Sequence, residues 1–198
     1  TVYMMEKMLT HHGERIEGRD CLVSGAGNVA IYCAEKLIEV GGKVLTLSDS
    51  GGFLLAADGL NQTQLDWIKG SKKGPPQRIK DAANEFGLKY HRNKKPWGVK
   101  GNLIFPCATQ NEIDENEAKL LVKNGARAVA EGANMPTTPD AVKVFSQAKN
   151  VLHAPAKAAN VGGVAVSGFE MSQNSLLLQW SAAQLDQRLR DIMKTIHD

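Results

Sequence analysis

The residues Val23-Ser24-Gly25-Ala26-Gly27-Asn28-Val29-Ala30 spell G-x-G-x-x-A, with an apolar run in front and a helical pattern behind. That spacing has the chemistry of a phosphate seat. Gly25 permits a tight turn, Gly27 carries no side chain to block a diphosphate from the backbone, and Ala30 lets helix and strand approach closely. The peptide groups of Gly25, Ala26, Gly27, Asn28 and Val29 form the turn and open the helix, where unpaired N–H groups and the positive dipole end attract phosphate. A second apolar run closes on Asp49, about twenty residues further on, the place of an acid that meets a ribose hydroxyl. The competing reading is a strand-to-helix turn that binds nothing. The flanking run, the helix and Asp49 together favour a dinucleotide.

The residues alone leave two dinucleotides open. A carboxylate at Asp49 suits the two ribose hydroxyls of NAD and repels the 2′-phosphate of NADP. Ser50, beside it, can donate to a phosphate, and Lys69, Lys72, Lys73 and Arg78 follow along the same edge. The bland account of those cations is a solvated loop.

Such a seat needs a strand before it and a helix after it, and the chain repeats that alternation. Strands are expected at 20–24, 43–48, 88–91, 102–106, 127–131 and 151–154, and helices at 28–41, 62–70, 76–86, 115–124 and 139–148. Asp114 with Glu117, and Asn61 with Gln64, have the spacing of reciprocal helix caps. Thr138-Pro139 pairs a capping hydroxyl with a proline at a position that needs no N–H. The pattern predicts an α/β, Rossmann-like, doubly wound and mostly parallel sheet with helices on both faces. Beyond about residue 160 the strands stop, and 162–180 and 181–198 read as two long helices. We divide the chain into a helical lead-in left from a preceding domain (1–17), a dinucleotide-binding domain (18–160) and C-terminal helices (161–198). Both ends fall inside helical patterns, as in a piece of a longer protein.

Composition narrows the class. A net charge of +3 over 198 residues gives no basic arm for nucleic acid. No apolar run approaches the roughly 20 residues that span a bilayer. Cys21, Cys33 and Cys107 stand in apolar surroundings without metal-ligand spacing, which fits buried thiols in a reducing, cytoplasmic compartment. His11, His12, His91, His153 and His197 show no ligand spacing either, so no metal is expected.

Three longer segments carry a resemblance. PCATQNE (106–112), EGANMPTT (131–138) and KAANVGGVAVSGFEMSQN (157–174) resemble the signature segments of the hexameric glutamate dehydrogenases, with similarity running from about Gly18 to the end of the chain. Ser48-Asp49-Ser50 is similar to the strand ending of NADP-using members, which tips the coenzyme to NADP, with NAD as the alternative. By this resemblance Ala108, Thr109 and Gln110 line the diphosphate and ribose path. Asn134 bonds the nicotinamide-side ribose, and Asn160 orients the nicotinamide end. Val164 packs on the substrate's aliphatic chain and Ser167 bonds its distal carboxylate.

The resemblance implies oxidation of L-glutamate to 2-oxoglutarate and ammonia, and the reverse, in a homohexamer. The family's catalytic lysines and aspartate lie in an N-terminal domain that these residues do not match, so no catalytic residue is assigned here. Lys157 does not correspond to the catalytic lysine. This piece is expected to bind coenzyme without turning over, and to expose an apolar patch that the missing domain would cover. Rival readings are a leucine-, phenylalanine- or valine-type dehydrogenase, for which a hydroxyl at Ser167 has nothing to bond, and a non-catalytic dinucleotide sensor.

Overall fold

The structure, a computed structural model, describes residues 1–70, 78–176 and 179–198. Among the described residues seven strands form one sheet. Its centre is β1 (Asp20–Val23), with β2 (Lys43–Asp49) and β5 (Leu103–Phe105) parallel on either side. Beyond β5 lie β6 (Ala128–Ala130) and β7 (Leu152–Ala154), also parallel. Beyond β2 lie β3 (Gly52–Leu55) and β4 (Lys89–Arg92), each antiparallel to its neighbour. The sheet is therefore mostly parallel, as the alternation predicts.

Side chains alternate across the short central strands, as the pleat requires. Val23, Leu103 and Phe105 face one core, while Leu22, Ile104 and Val129 face the other. The first core is covered by α1 (Val2–His11), α2 (Asn28–Glu39), α3 (Gln62–Gly70), α4 (Ile79–Glu85) and α7 (Ala156–Ala159). Over the second lie α5 (Glu115–Lys123), α6 (Pro139–Gln147) and a 3-10 turn at Pro96–Gly98 that buries Trp97. Helices on both faces make this the doubly wound arrangement.

One strand escapes the sequence reading. No strand is expected between residues 48 and 88, yet β3 pairs Asp49 with Gly52 and Ser48 with Phe53 across a two-residue loop, Ser50-Gly51. The run Gly52-Phe53-Leu54-Leu55 is too short to show a period, which hides it. The loop composition, Ser-Gly followed by a second glycine, is the hairpin signal that marks it. Gly52 sits at φ +147, and a Cβ there would stand 2.2 Å from the carbonyl oxygen of His91 on β4. Only glycine lets β4 lie that close.

The chain's two ends pack together. α1 buries Tyr3, Met5 and Leu9 and runs beside α9 (Ala182–His197). The Tyr3 hydroxyl donates to Asp186, and the Arg190 guanidinium lies 4.2 Å over its ring. α8 (Gly162–Leu176) packs on α9 but leaves Val164 74% and Met171 71% exposed.

The predicted cap at α5 forms: Asp114 Oδ1 accepts from the Glu117 N–H at 2.9 Å, and Glu117 Oε2 accepts from the Asp114 N–H at 2.9 Å. Asp114→Ala removes one half of that exchange, and loss of such a cap typically costs about 1 kcal/mol. For a chain of this size thermal denaturation should register a fall in Tm of roughly 2–4 °C. An unchanged Tm would show that the cap contributes nothing.

Candidate functional site

The turn between β1 and α2 is held from below by two buried hydroxyls. Ser48 Oγ accepts from the Gly25 N–H at 2.8 Å, and Ser24 Oγ accepts from the Cys107 N–H at 2.9 Å. β1 is thereby stitched to β2 on one side and to the residues after β5 on the other. Gly25 takes φ +88, and a Cβ there would come within 2.9 Å of the Cys107 carbonyl oxygen. Ala30 is fully buried, and its Cβ would lie 3.2 Å from that same added Cβ. Gly27 differs from Gly25. As N-cap of α2 it has φ −73 and ψ −179, which any residue adopts, and a Cβ there meets nothing within 4 Å. No side chain caps the helix start, so its opening N–H groups face open space.

That space is a cleft of 690 Å³ over the carboxyl ends of β1, β2 and β5. Gly25, Ala26 and Gly27 form one wall, and Asp49 and Ser50 a second. Ala108, Thr109 and Glu112 form a third, and Asn93 to Pro96 close the rim. The structure thus brings together most of the residues expected on the adenosine and diphosphate side. Asp49 has a task that its position in sequence does not reveal. Its Oδ1 accepts from the Gly51 N–H at 2.8 Å and its Oδ2 from the Ile79 N–H at 3.0 Å. One carboxylate thereby fixes the β2–β3 turn and docks the start of α4. Arg78 follows that turn, with Nη1 3.9 Å from where a Gly51 Cβ would stand. Lys72 and Lys73 lie outside the described residues.

Beside this cleft, Glu112 is a buried hub. Its Oε1 accepts from the Ala108 N–H at 3.0 Å and the Thr109 N–H at 3.4 Å. Its carbonyl oxygen accepts from Lys95 Nζ at 2.9 Å and Trp97 Nε1 at 3.2 Å. Burial pushes its carboxyl above the ordinary glutamate value, against the lowering pull of Ser24 and the two backbone donors. Gln110, in the same loop, is exposed and lines neither cleft.

A second cleft of 460 Å³ opens beyond the start of α2. Asn28 and Val29 line it from one side, Asn160, Gly162 and Gly163 from the other, with Tyr3 and Tyr32 on its apolar wall. Asn134 stands next to it: the Asn160 side-chain amide donates to Asn134 Oδ1 at 2.8 Å. Beneath these asparagines Glu131 bridges β6, β7 and α7. His153 Nε2 lies 2.9 Å from its Oε1, and its Oε2 accepts from the Ala156 N–H at 2.8 Å. Burial pushes the Glu131 carboxyl upward, but the bonds from His153 and Ala156 outweigh it and hold the group below the ordinary value. Val164 and Ser167 share an exposed face of α8 at i, i+3 spacing, outside both clefts, with Ser167 Oγ donating to the Gly163 carbonyl at 3.2 Å.

Sequence reasoning missed Ser24, Ser48, Glu112, Asn93 and Lys94. No spacing rule marks a hydroxyl that supports a turn from a neighbouring strand. Among the described residues no group of three or more His, Cys, Asp or Glu could hold a metal ion, and no helix is long and apolar enough to cross a membrane.

The family model described as Glutamate/Leucine/Phenylalanine/Valine dehydrogenase matches residues 1–198. The chain is 51% identical over 197 residues to a glutamate dehydrogenase of Bacteroides thetaiotaomicron, covering 100% of this chain and 44% of that protein. It is 48% identical over 196 residues to the NADP-specific glutamate dehydrogenase of Escherichia coli, covering 99% of this chain and 44% of the relative. The crystal structure of Plasmodium falciparum glutamate dehydrogenase superposes with a TM-score of 0.92 at 46% identity, over 98% of this chain and 42% of that one. The chain therefore spans less than half the length of these relatives.

Two buried carboxyls shifted in opposite senses give a test by pH. Glu112 is raised, so its ionised form weakens the fold, and that penalty disappears as pH falls through the raised value. Glu112→Gln keeps an acceptor for the Ala108 and Thr109 N–H groups and should match or exceed the parent's Tm at pH 7, the gap closing toward acid. Glu131 is lowered, so its contribution is present above the unfolded value and is lost as pH falls through the folded one. Glu131→Gln should therefore melt below the parent at pH 7, with that deficit shrinking in acid. Melting curves at several pH values that moved both variants in one direction would refute the assignment.

Proposed function

The chain belongs to the glutamate/leucine/phenylalanine/valine dehydrogenase family, and from that premise we propose that it is the coenzyme-binding portion of an NADP-dependent glutamate dehydrogenase. The parent enzyme interconverts L-glutamate with 2-oxoglutarate and ammonia. The observation that carries coenzyme binding is the contrast between Gly25 and Gly27. Gly25 is demanded by the fold, through its φ of +88 and the nearby Cys107 carbonyl. Gly27 is demanded by nothing among the described residues: its dihedrals suit any residue and its missing Cβ opens into the cleft. A diphosphate accounts for that opening, and the unpaired N–H groups of the α2 start supply its donors.

In this reading Gly25 to Val29 cradle the diphosphate, Ser50, Lys72 and Arg78 meet the adenosine 2′-phosphate, and Ala108 to Gln110 follow the diphosphate and ribose. Asn134 and Asn160 hold the nicotinamide half, while Val164 and Ser167 touch substrate. NADP, when bound, accepts or returns the hydride. The protein's share is position and electrostatics. The general base and the cations for two carboxylates are assigned to the part of the protein that its relatives carry beyond this chain. NADP is preferred to NAD because both Asp49 oxygens already accept backbone N–H groups, and relatives from several organisms are named NADP-specific. The homohexamer rests on the family resemblance. The cytoplasmic location rests on that resemblance together with three buried, free cysteines.

The exposed apolar residues Tyr32, Val164 and Met171 fit a surface that such a further part would cover. The division at residues 18 and 161 rests on the sequence pattern alone, and the second cleft crosses both boundaries, with Tyr3 on one side and Gly162 and Gly163 on the other.

Gly27→Val puts a branched side chain into the proposed seat without straining the backbone. We expect Tm to change little, a valine N-cap costing no more than about 1 kcal/mol. NADPH affinity, measured by titration of the nucleotide's fluorescence, should fall at least tenfold, or about 1.4 kcal/mol. The parent should bind NADPH at least tenfold more tightly than NADH. Retained NADPH binding in the Gly27→Val variant, or equal affinities in the parent, would count against the reading.

A further inference from the structure

Two adjacent lysines follow β4, and they have different fates. Lys95 is tied down: its Nζ donates to the Glu112 carbonyl at 2.9 Å and pairs with a Glu117 carboxylate oxygen at 2.9 Å. Lys94 is exposed, lines the 690 Å³ cleft, and among the described residues makes no hydrogen bond or ion pair. Its place is set by the backbone before it. Asn93 adopts φ +53, a left-handed conformation that asparagine tolerates better than most residues, and its N–H donates to the Gly51 carbonyl at 2.8 Å. The segment bearing Lys94 is thus bolted to the tip of the β2–β3 hairpin, the tip that also presents Ser50. Asp49 and Ser50 line the same cleft.

Building on the reading of this cleft as the coenzyme site, we propose that Lys94 is a specificity-determining residue that reads the 2′-phosphate of NADP from the rim formed by Asn93 to Pro96. The chemistry selects that group. A 2′-phosphate carries up to two negative charges, and a flexible ammonium with three donors reaches it as a point charge. The carboxylate at the hairpin, Asp49, is directed at two backbone N–H groups, and Lys94 has no ion-pair partner among the described residues. An unpaired cation on a rim, fixed by a left-handed residue, serves the lone hairpin poorly: no described residue uses its charge. It serves a doubly charged ligand well. Lys95 shows what this stretch does with a lysine whose task is structural.

The test uses the protein that carries this chain. Kd values for NADPH and NADH are measured for the parent, Lys94→Gln and Lys94→Arg, with 2′,5′-ADP and 5′-AMP as competitors that isolate the phosphate. Melting curves verify the fold, which an exposed and unpaired side chain should leave unchanged. For Lys94→Gln we expect the NADPH-over-NADH selectivity to fall about tenfold, the 2′,5′-ADP preference over 5′-AMP to fall in parallel, and Lys94→Arg to restore most of both. An equal loss for all four nucleotides would assign Lys94 to the diphosphate or adenine and overturn the proposal. So would an unchanged selectivity in a parent that does prefer NADPH, and in that case the coenzyme assignment would stand. A parent that binds none of the four would instead remove the coenzyme reading, and this inference with it.

Discussion

Everything in the first cleft depends on a main-chain turn being held still from beneath. Two serine hydroxyls do this, Ser48 accepting from the N–H of Gly25 and Ser24 from that of Cys107. Each bond crosses between strands and is shielded from water, where an unpaired amide would cost about 1–3 kcal/mol. Thr46 adds a third tie, its Oγ1 accepting from the Val23 N–H at 3.1 Å and donating to the Val23 carbonyl at 3.0 Å. Three hydroxyls thus fix the end of β1 relative to its two neighbours. A glycine turn is intrinsically soft. Here its softness is confined, so that the N–H groups of the α2 start keep one direction.

The same logic recurs at each wall. Glu112 collects the N–H groups of Ala108 and Thr109 with its side chain and anchors Lys95 and Trp97 with its carbonyl, so the loop after β5 and the segment entering from β4 move as one. Asp49 does this for the hairpin and α4, and Glu131 for the loops bearing Asn134 and Asn160. Acids, two of them buried and Asp49 partly so, are used here as clasps for backbone donors. The residues they position, Ala108, Thr109, Asn134 and Asn160, are small or amidic and carry no charge.

The parts of this arrangement that can be read in the sequence are those written locally. The glycine spacing, the strand-helix alternation and the caps at Asp114 and Thr138 are each encoded within a few residues, and each is found where expected. β3 is hidden because four residues carry no period, and its identity as a strand comes from pairing with β2 and β4. The clasps are hidden for a related reason. Ser24 and Cys107 are 83 positions apart, and a serine has no local feature that reveals a distant partner. Asp49 is legible as the acid ending β2, but its engagement with Ile79 depends on where α4 docks. Segment resemblance supplies roles for Asn134, Asn160, Val164 and Ser167 that neither pattern nor propensity could.

The central strand has a kinetic consequence. β1 pairs on one side with β2, a short helix away, and on the other with β5, whose first contact joins Asp20 to Asn102, 82 positions along the chain. Closing so long a loop is the slow, entropically opposed part of assembling such a topology. The cleft does not exist until that closure is made, because its floor is the junction of β1 with the residues after β5. Under the proposed function a nucleotide binds only the finished sheet, and by mass action it draws the chain toward the folded state. Supplying it during refolding should raise the yield without accelerating the early steps.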